Sequence, residues 1–395
     1  MSQSVEQVAQ CPMHRQHPLS PPEELLELQN SRPISRMTWN GFPMWLVTRY
    51  DDARAILSDS RFSADSSRHG FPPIGPQAVN PSTRTLSRSD PPEHDIHRRL
   101  VMGEFTARRI DQLRPTVRKS VGALLDAMQD AERPLDLVQK FALPIPSSLI
   151  SEMLGVPYSD HAHFERLVSE FSSTDAAVSA KGAKDLTDYV DGLVSLKEKN
   201  PPDDLLGRLV VEGRGVINHD ETVRLARTLL AAGHETTANM LALSSLTLMQ
   251  DHALRDSLLS GQSRGKDAVE ELLRFHSILQ HGAPRLALED VDIRGQVIRA
   301  GEGVLVSLSA ANRDDGIFSD PSKLDFCRPK ARHHLAFGFG IHQCLGQNLA
   351  RMELQEALPM LFTRYPDLKL GVPFEKLRFK HESITYGLYE LPVTW

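Results

Sequence analysis

The sequence predicts a mainly α-helical protein with a smaller β-rich region, and three observations carry that reading. Helix-period patterns dominate the chain beyond residue 50. One of them, from Asp220 to Gln250, spans about 30 residues and implies an element that crosses the whole molecule. Strand signals are confined to residues 34–49 and to the stretch from Val291 to Val306.

Taken in order, residues 1–20 are polar and proline-broken and are expected to be a flexible N-terminus. Cys11, His14 and His17 within them match no complete metal site, because a fourth ligand is missing. Residues 34–49 alternate around Asn40-Gly41, which predicts a β-hairpin. Residues 60–90 are rich in Ser, Pro, Gly and Arg. A loop that long is usually functional or disordered, and Phe62, Phe71, Ile74, Val79 and Leu86 within it favour a substrate-facing loop. Asp90 is expected to cap the next helix, with Pro91 and Pro92 in its first turn. His94 and Arg98 then share one helical face. The basic run from Arg98 through Arg108, Arg109, Arg114, Arg118 and Lys119 reads either as a solvated face or as a docking surface for an acidic partner.

Residues 134–200 alternate helical segments with breaks, and the small, polar stretch from Phe171 to Lys184 is expected to be a mobile lid. The middle of the long helix reads Ala231-Ala232-Gly233-His234-Glu235-Thr236-Thr237. Glycine and β-branched residues weaken a helix there, and such conflicts between local preference and the enclosing element often mark function. Residues 267–278 form a short helix with Glu271 and Arg274 at i,i+3, close enough to pair. The strands of 291–306 are separated by Gly295, Gly301 and Gly303, and an irregular stretch from Asn312 to Arg328 follows. It delivers the chain to Phe337-Gly338-Phe339-Gly340-Ile341-His342-Gln343-Cys344-Leu345-Gly346, where three glycines surround one cysteine just before another helix pattern. Gly338 and Gly340 permit a tight loop against a flat ligand. A cysteine at a helix N-terminus is favoured as thiolate, the form that binds metal. Taken alone, the same residues read as a glycine-rich turn with a small buried hydrophobe.

The chain has 395 residues, 40% of them hydrophobic, which suits a sizeable core. A net charge of −6 leaves no excess of Lys and Arg for phosphates, so a general nucleic-acid binder is not expected. No apolar run reaches the length of a membrane span or the apolar core of a signal peptide. Cys11, Cys327 and Cys344 are odd in number and far apart, which fits a reducing cytoplasm better than a disulfide framework.

Four motifs in one order resemble the cytochrome P450 family, the haem-thiolate monooxygenases, in its soluble bacterial form. They are His94-x-x-x-Arg98, Ala232-Gly233-x-Glu235-Thr236-Thr237, Glu271-x-x-Arg274 and the complete Phe337-Gly338-x-Gly340-x-His342-x-Cys344-x-Gly346 loop. The resemblance implies a single monooxygenase domain over 21–395 in the cytochrome P450 fold, with the long central helix over the haem. It implies haem b (iron protoporphyrin IX), with Cys344 as the iron ligand in the loop that Phe337 opens and Gly346 closes. Its propionates would be held by His94, Arg98, Arg285 and His342. Gly233 would open space beside the iron, and Glu235 and Thr236 would deliver protons. The Thr236 hydroxyl has a second reading, bonded back to the carbonyl one turn earlier. Glu271, Arg274 and Arg328 would form a buried ion cluster behind the loop.

No flavin or iron–sulfur module is visible, so a ferredoxin and a ferredoxin reductase are the expected electron donors to a monomer. The substrate is expected to be a hydrophobic small molecule, met in natural-product tailoring or xenobiotic oxidation. It would lie among loop 71–90, the lid near 169–182, Leu229, Ala232 and Gly233, Ile278 to Pro284, and Ile384 to Tyr386. Hydroxylation or epoxidation leads. Ring formation, coupling or desaturation on the same haem is the alternative reaction, and a haem-binding sensor without turnover is the alternative class.

Overall fold

A computed structural model describes residues 9–73, 86–171 and 175–395. After helix α1 (Glu23–Ser31) come strands β1 (Ile34–Trp39) and β2 (Phe42–Val47), the expected hairpin, in register with Trp39 opposite Phe42. Asn40 and Gly41 both have positive φ (48° and 82°), which a two-residue turn matched to strand twist requires. After α2 (Tyr50–Ser58), β3 (Phe62–Ser63) starts the region expected as a long loop. Its residues 74–85 lie outside the described ones.

The helical body follows as α3 (Glu93–Met102), α4 (Ala107–Asp111), α5 (Arg114–Gln129), then β4 (Leu135–Asp136), α6 (Pro144–Leu154) and α7 (His161–Phe171). Next are α8 (Ala176–Lys199), α9 (Leu205–Glu212), α10 (His219–Gln250), α11 (His252–Leu259) and α12 (Gln262–His276). The chain returns through β5 (Ala283–Ala287), β6 (Val291–Ile293), β7 (Gln296–Ile298) and β8 (Gly303–Val306). It ends with α13 (Leu308–Ala311), α14 (Gln347–Arg364), β9 (Lys369–Leu370) and β10 (Pro392–Thr394). A five-stranded sheet in the order β1-β2-β8-β5-β3 joins the hairpin to the later strands; β6–β7 is a separate hairpin, and β4-β10-β9 form a third sheet.

The long helix α10 is continuous over 32 residues and packs against α6, α8 and α14. Asn218 and Glu221 close its N-terminus as a reciprocal capping box, satisfying two otherwise unpaired backbone donors. Its second half is buried on every side, with Leu241, Leu243, Leu246 and Leu248 nearly inaccessible, so tertiary packing overrides the unfavourable residues in its middle.

Two expectations need correcting. Residues 9–20 are packed rather than flexible. Cys11 is buried, Cys11 N–H donates to the Thr38 carbonyl at 2.8 Å beside β1, and Arg15 is buried with its guanidinium 3.7 Å from the Tyr386 ring centre. Asp90 does not cap α3. Its carboxylate accepts from Ser63 Oγ at 2.5 Å and Ala64 N–H at 2.8 Å, and Pro92 precedes the helix. Of the stretch expected as a lid, residues 172–174 lie outside the described ones and residues 176–184 are helical, because Asp175 caps α8 through the Ala177 and Val178 N–H groups.

The irregular stretch before the cysteine loop is held by Glu271, whose side chain is wholly buried on α12. Arg274 meets its two oxygens at 2.8 Å each, and Arg328 Nε lies 2.9 and 3.0 Å from the same pair. The guanidiniums also donate to the carbonyls of Asn312, Pro321 and Lys323, so backbone that forms no helix or strand still finds partners. Glu271→Ala leaves two buried cations without their anion and is expected to destabilise the fold by about 3–5 kcal/mol. The measurement is denaturant unfolding; a loss below about 1 kcal/mol, the size of a surface pair, would contradict it.

Candidate active site at the cysteine loop

The loop is built by two left-handed glycines, Gly338 (φ 70°) and Gly340 (φ 74°). A Cβ on Gly340 would come within 2.3 Å of the Leu57 carbonyl oxygen, so α2 packs directly on the turn. Cys344 N–H donates to the Phe337 carbonyl at 2.9 Å and closes the loop. Arg98 reaches across from α3 to donate to the Gln343 carbonyl at 3.0 Å, and Arg351 lies 4.5 Å over the Phe337 ring. Gly346 precedes α14, so Cys344 sits two residues ahead of that helix rather than in its first turn.

Cys344 has accessible surface, yet so much protein encloses it that burial is the largest influence on its thiol and raises its pKa. Both facts hold when that surface faces an interior space. The Gly346 N–H, Arg351 and Arg98 pull the other way without prevailing, so the helix end alone does not give the expected thiolate. A metal would reverse this, because a coordinating thiol is deprotonated outright.

Around the thiol stands a set of donors short of acceptors. His94 and His342 meet edge to face, with ring centres 4.4 Å apart. His94 Nδ1 engages Asp95 at 2.8 Å, whereas His94 Nε2 and His342 Nδ1 are buried without hydrogen-bond partners. Burial first, then Arg285, His94 and Arg98, push the His342 pKa down to about 3, so its ring is neutral. Arg285 is buried on β5 and donates to the Pro284 carbonyl; burial lowers its pKa to about 10, with Arg88 adding to the fall and Asp90 opposing it. Arg88, which sequence reasoning missed, joins this cationic group from the turn before α3. Buried cations and orphaned imidazoles suit a ligand carrying carboxylates, and a lone accessible thiol suits its metal. The residues therefore fit an iron porphyrin.

On α10, Ala232 is exposed and Gly233, Glu235 and Thr236 are partly accessible, although residues 237–249 beyond them are buried. A Cβ on Gly233 would meet nothing within 4 Å. The helix thus turns a small, polar stripe toward open space at its middle. Thr236 Oγ1 donates to the Ala232 carbonyl at 2.8 Å, the back-bonded arrangement. Glu235 accepts from Lys380 Nζ at 2.7 Å, and Lys380 also reaches Asn239 Oδ1 at 3.3 Å. The stretches at 278–280 and 384–386 are joined, Gln280 N–H to the Ile384 carbonyl at 3.0 Å and Tyr386 N–H to that of Ile278 at 2.7 Å.

Sequence reasoning also missed Lys380, whose partner is far away in the chain, and Glu353. The latter lies between Leu349 and Ala357 on an apolar stripe of α14, a visible interruption. Burial pushes its pKa up to about 8, opposed by the Thr237 side chain, and its Oε1 has no partner. A carboxyl whose folded pKa lies above its unfolded value of 4.5 stabilises the fold below that value and loses the contribution as pH rises toward 8. Glu353→Gln is expected to remove a loss on the order of 2–4 kcal/mol between pH 5 and 8.5, read from urea unfolding. An unchanged pH dependence in the variant would contradict this.

Comparison with known proteins places the whole chain in one group. The profile of the family described as Cytochrome P450 matches residues 266–369. A protein named Vitamin D3 dihydroxylase, from Streptomyces griseolus, is 43% identical over 97% of this chain and 96% of its own. The crystal structure of cytochrome P450 MoxA from Nonomuraea recticatena superposes with a TM-score of 0.91 at 43% identity, covering 98% of each chain. That of the mycinamicin VIII C21 methyl hydroxylase MycCI from Micromonospora griseorubida, bound to mycinamicin VIII, gives 0.92 at 38% identity, covering 98% of this chain and 100% of the other. No helix among the described residues is long and apolar enough to cross a membrane.

Proposed function

Because the chain belongs to the cytochrome P450 family, we propose that Cys344 is the thiolate ligand of its haem iron and that His94, Arg98, Arg285 and His342 hold the propionates. The enzyme is a haem-thiolate monooxygenase, which places one atom of O2 in a hydrophobic organic substrate by hydroxylation or epoxidation. The observation that carries the assignment of residues is the accessible Cys344 thiol acted on by Arg98 and Arg351, two residues after His342, whose ring meets that of His94 and is acted on by Arg285. Bound there, haem supplies the activation of dioxygen, which an electron-donating thiolate favours. The group assigned is haem b.

The chain's own residues do the rest. Gly346 N–H, Arg98 and Arg351 stabilise negative charge at the Cys344 sulfur. Phe337, clamped beneath Arg351, holds the loop around it. Gly233 leaves room on the opposite side. Glu235, held by Lys380 at 2.7 Å, is placed to pass protons inward from solvent. Thr236 donates a hydrogen bond from its hydroxyl to the Ala232 carbonyl, so its oxygen remains an acceptor that can orient a water carrying the proton inward.

The relatives named for vitamin D3 and mycinamicin VIII support a bulky, largely apolar substrate, a natural product or a foreign compound. Electrons come from a ferredoxin and its reductase. The docking face assigned to the ferredoxin takes in exposed Arg108, Arg118 and Lys119 and a depression of about 570 Å³ beside α14, where Lys266, Arg332 and Arg351 gather. Residues 21–395 act as one domain and as a monomer. The cytoplasm is the setting assigned, supported by three cysteines that are odd in number and far apart in the sequence.

Thr236→Ala tests the proton assignment. It is expected to consume reducing equivalents at a rate close to wild type while the share appearing as product falls and peroxide rises, because proton delivery is impaired. Unchanged coupling of electrons to product would remove Thr236 from this role.

A further inference from the structure

We propose that Glu93, His97 and Glu221 form a site for a divalent transition-metal ion, Zn²⁺ being the best match, that fastens α3 to the start of α10. Their ligand atoms lie within 4.8 Å of one another, and the set is separate from Cys344 and the residues around it. Glu93 and His97 are four apart on α3 and so share one face, and Glu221 approaches from the first turn of α10.

His97 makes this more than a pair of acids. The residue is 3% exposed, its Nδ1 is buried without a hydrogen-bond partner, and its Nε2 faces Glu221 Oε1 at 3.9 Å, beyond hydrogen-bond reach. The imidazole nitrogen aimed at the carboxylate thus makes no hydrogen bond with it, and a cation between the two would engage both. The Glu221 carboxylate is already divided in a suitable way. Oε2 accepts from the Asn218 N–H at 2.8 Å in the capping box, and Oε1 is directed at the imidazole.

One imidazole and two carboxylates are a borderline donor set, which suits Zn²⁺ better than the oxygen-seeking Ca²⁺ or Mg²⁺. Bonds of about 2.0–2.2 Å in a tetrahedron put ligand atoms roughly 3.3–3.5 Å apart, so the 3.9 Å between His97 and Glu221 must close by about half an ångström, and separations that reach as far as 4.8 Å by more, through rotation of the two glutamate side chains. The fourth position is left for water, and the two partly accessible glutamates give the ion a way in. Arg224 and His94 also act on His97 and oppose a cation; the two carboxylates act in the other direction. Because α3 carries His94 and Arg98, the ion would fix the helix that supplies two of the proposed propionate partners.

Calorimetric titration of the haem-loaded full chain with Zn²⁺ alone tests this, comparing wild type, His97→Ala and Glu221→Gln. Glutamine at that position keeps the capping box, so the second variant retains the helix end and remains informative where the first misfolds. Wild type is expected to bind one equivalent and each variant at least tenfold more weakly, with Zn²⁺ raising the thermal midpoint of wild type only. Absence of binding to wild type, or wild-type affinity in either folded variant, overturns the proposal.

Discussion

The arrangement of the whole reactive loop depends on two adjacent carboxylates at the end of α12. Glu271 holds Arg274 and Arg328 and through them the irregular strap that runs from Asn312 to Arg328. Glu270, its neighbour, accepts from Arg351 Nε at 2.7 Å and engages His334 at 3.1 Å. Burial works to raise the pKa of Glu270, but these two partners outweigh it and hold the group at about 2. One helix turn therefore grips the strap that enters the cysteine loop and the helix that leaves it. Because Arg351 also covers Phe337 and acts on the Cys344 thiol, the grip extends electrostatically to the sulfur. A buried carboxylate with two guanidiniums is a poor source of net stability. It is an effective way of giving irregular backbone a single position.

The opposite wall follows a different logic. There α10 is fastened at both ends, by its capping box and by a second half packed on every side, and its middle carries accessible small and polar residues. Lys380 holds Glu235 from the C-terminal turn, in the region where residues 384–386 pair with 278–280. The two sides of a cytochrome P450 site thus divide the work. On the proposed assignment the loop supplies a sulfur whose charge is stabilised by cations and an N–H, and the long helix supplies the groups assigned to proton movement and to substrate space.

Much of this was legible in the sequence because the chemistry demands particular residues at fixed spacing. Gly338 and Gly340 are required by positive φ, His94 and Arg98 by one helical face, and Glu271 and Arg274 by an i,i+3 pair that only burial makes important. The Asn40-Gly41 hairpin and the long helix were equally readable from turn chemistry and period. What remained hidden were pairings across the chain. Lys380 and Glu235 are 145 positions apart, and nothing local marks either as the other's partner. Asp90 looked like a cap, but a helix N-terminus and the β3 backbone compete for the same carboxylate, and β3 wins. The polar N-terminal segment looked flexible, yet β1 offers it an unpaired edge and Tyr386 offers Arg15 an aromatic face.

In the proposed holoenzyme Cys344, an enclosed thiol with a raised pKa when no metal engages it, becomes the thiolate ligand of haem iron. The measurement that bears on it most directly is the absorption spectrum of the reduced, carbonyl-bound holoprotein, taken beside that of Cys344→Ser. Thiolate ligation predicts the strongly red-shifted Soret band in wild type and its disappearance in the variant while haem is still bound. A wild-type spectrum without that band, or one that the serine variant shares, would contradict the account.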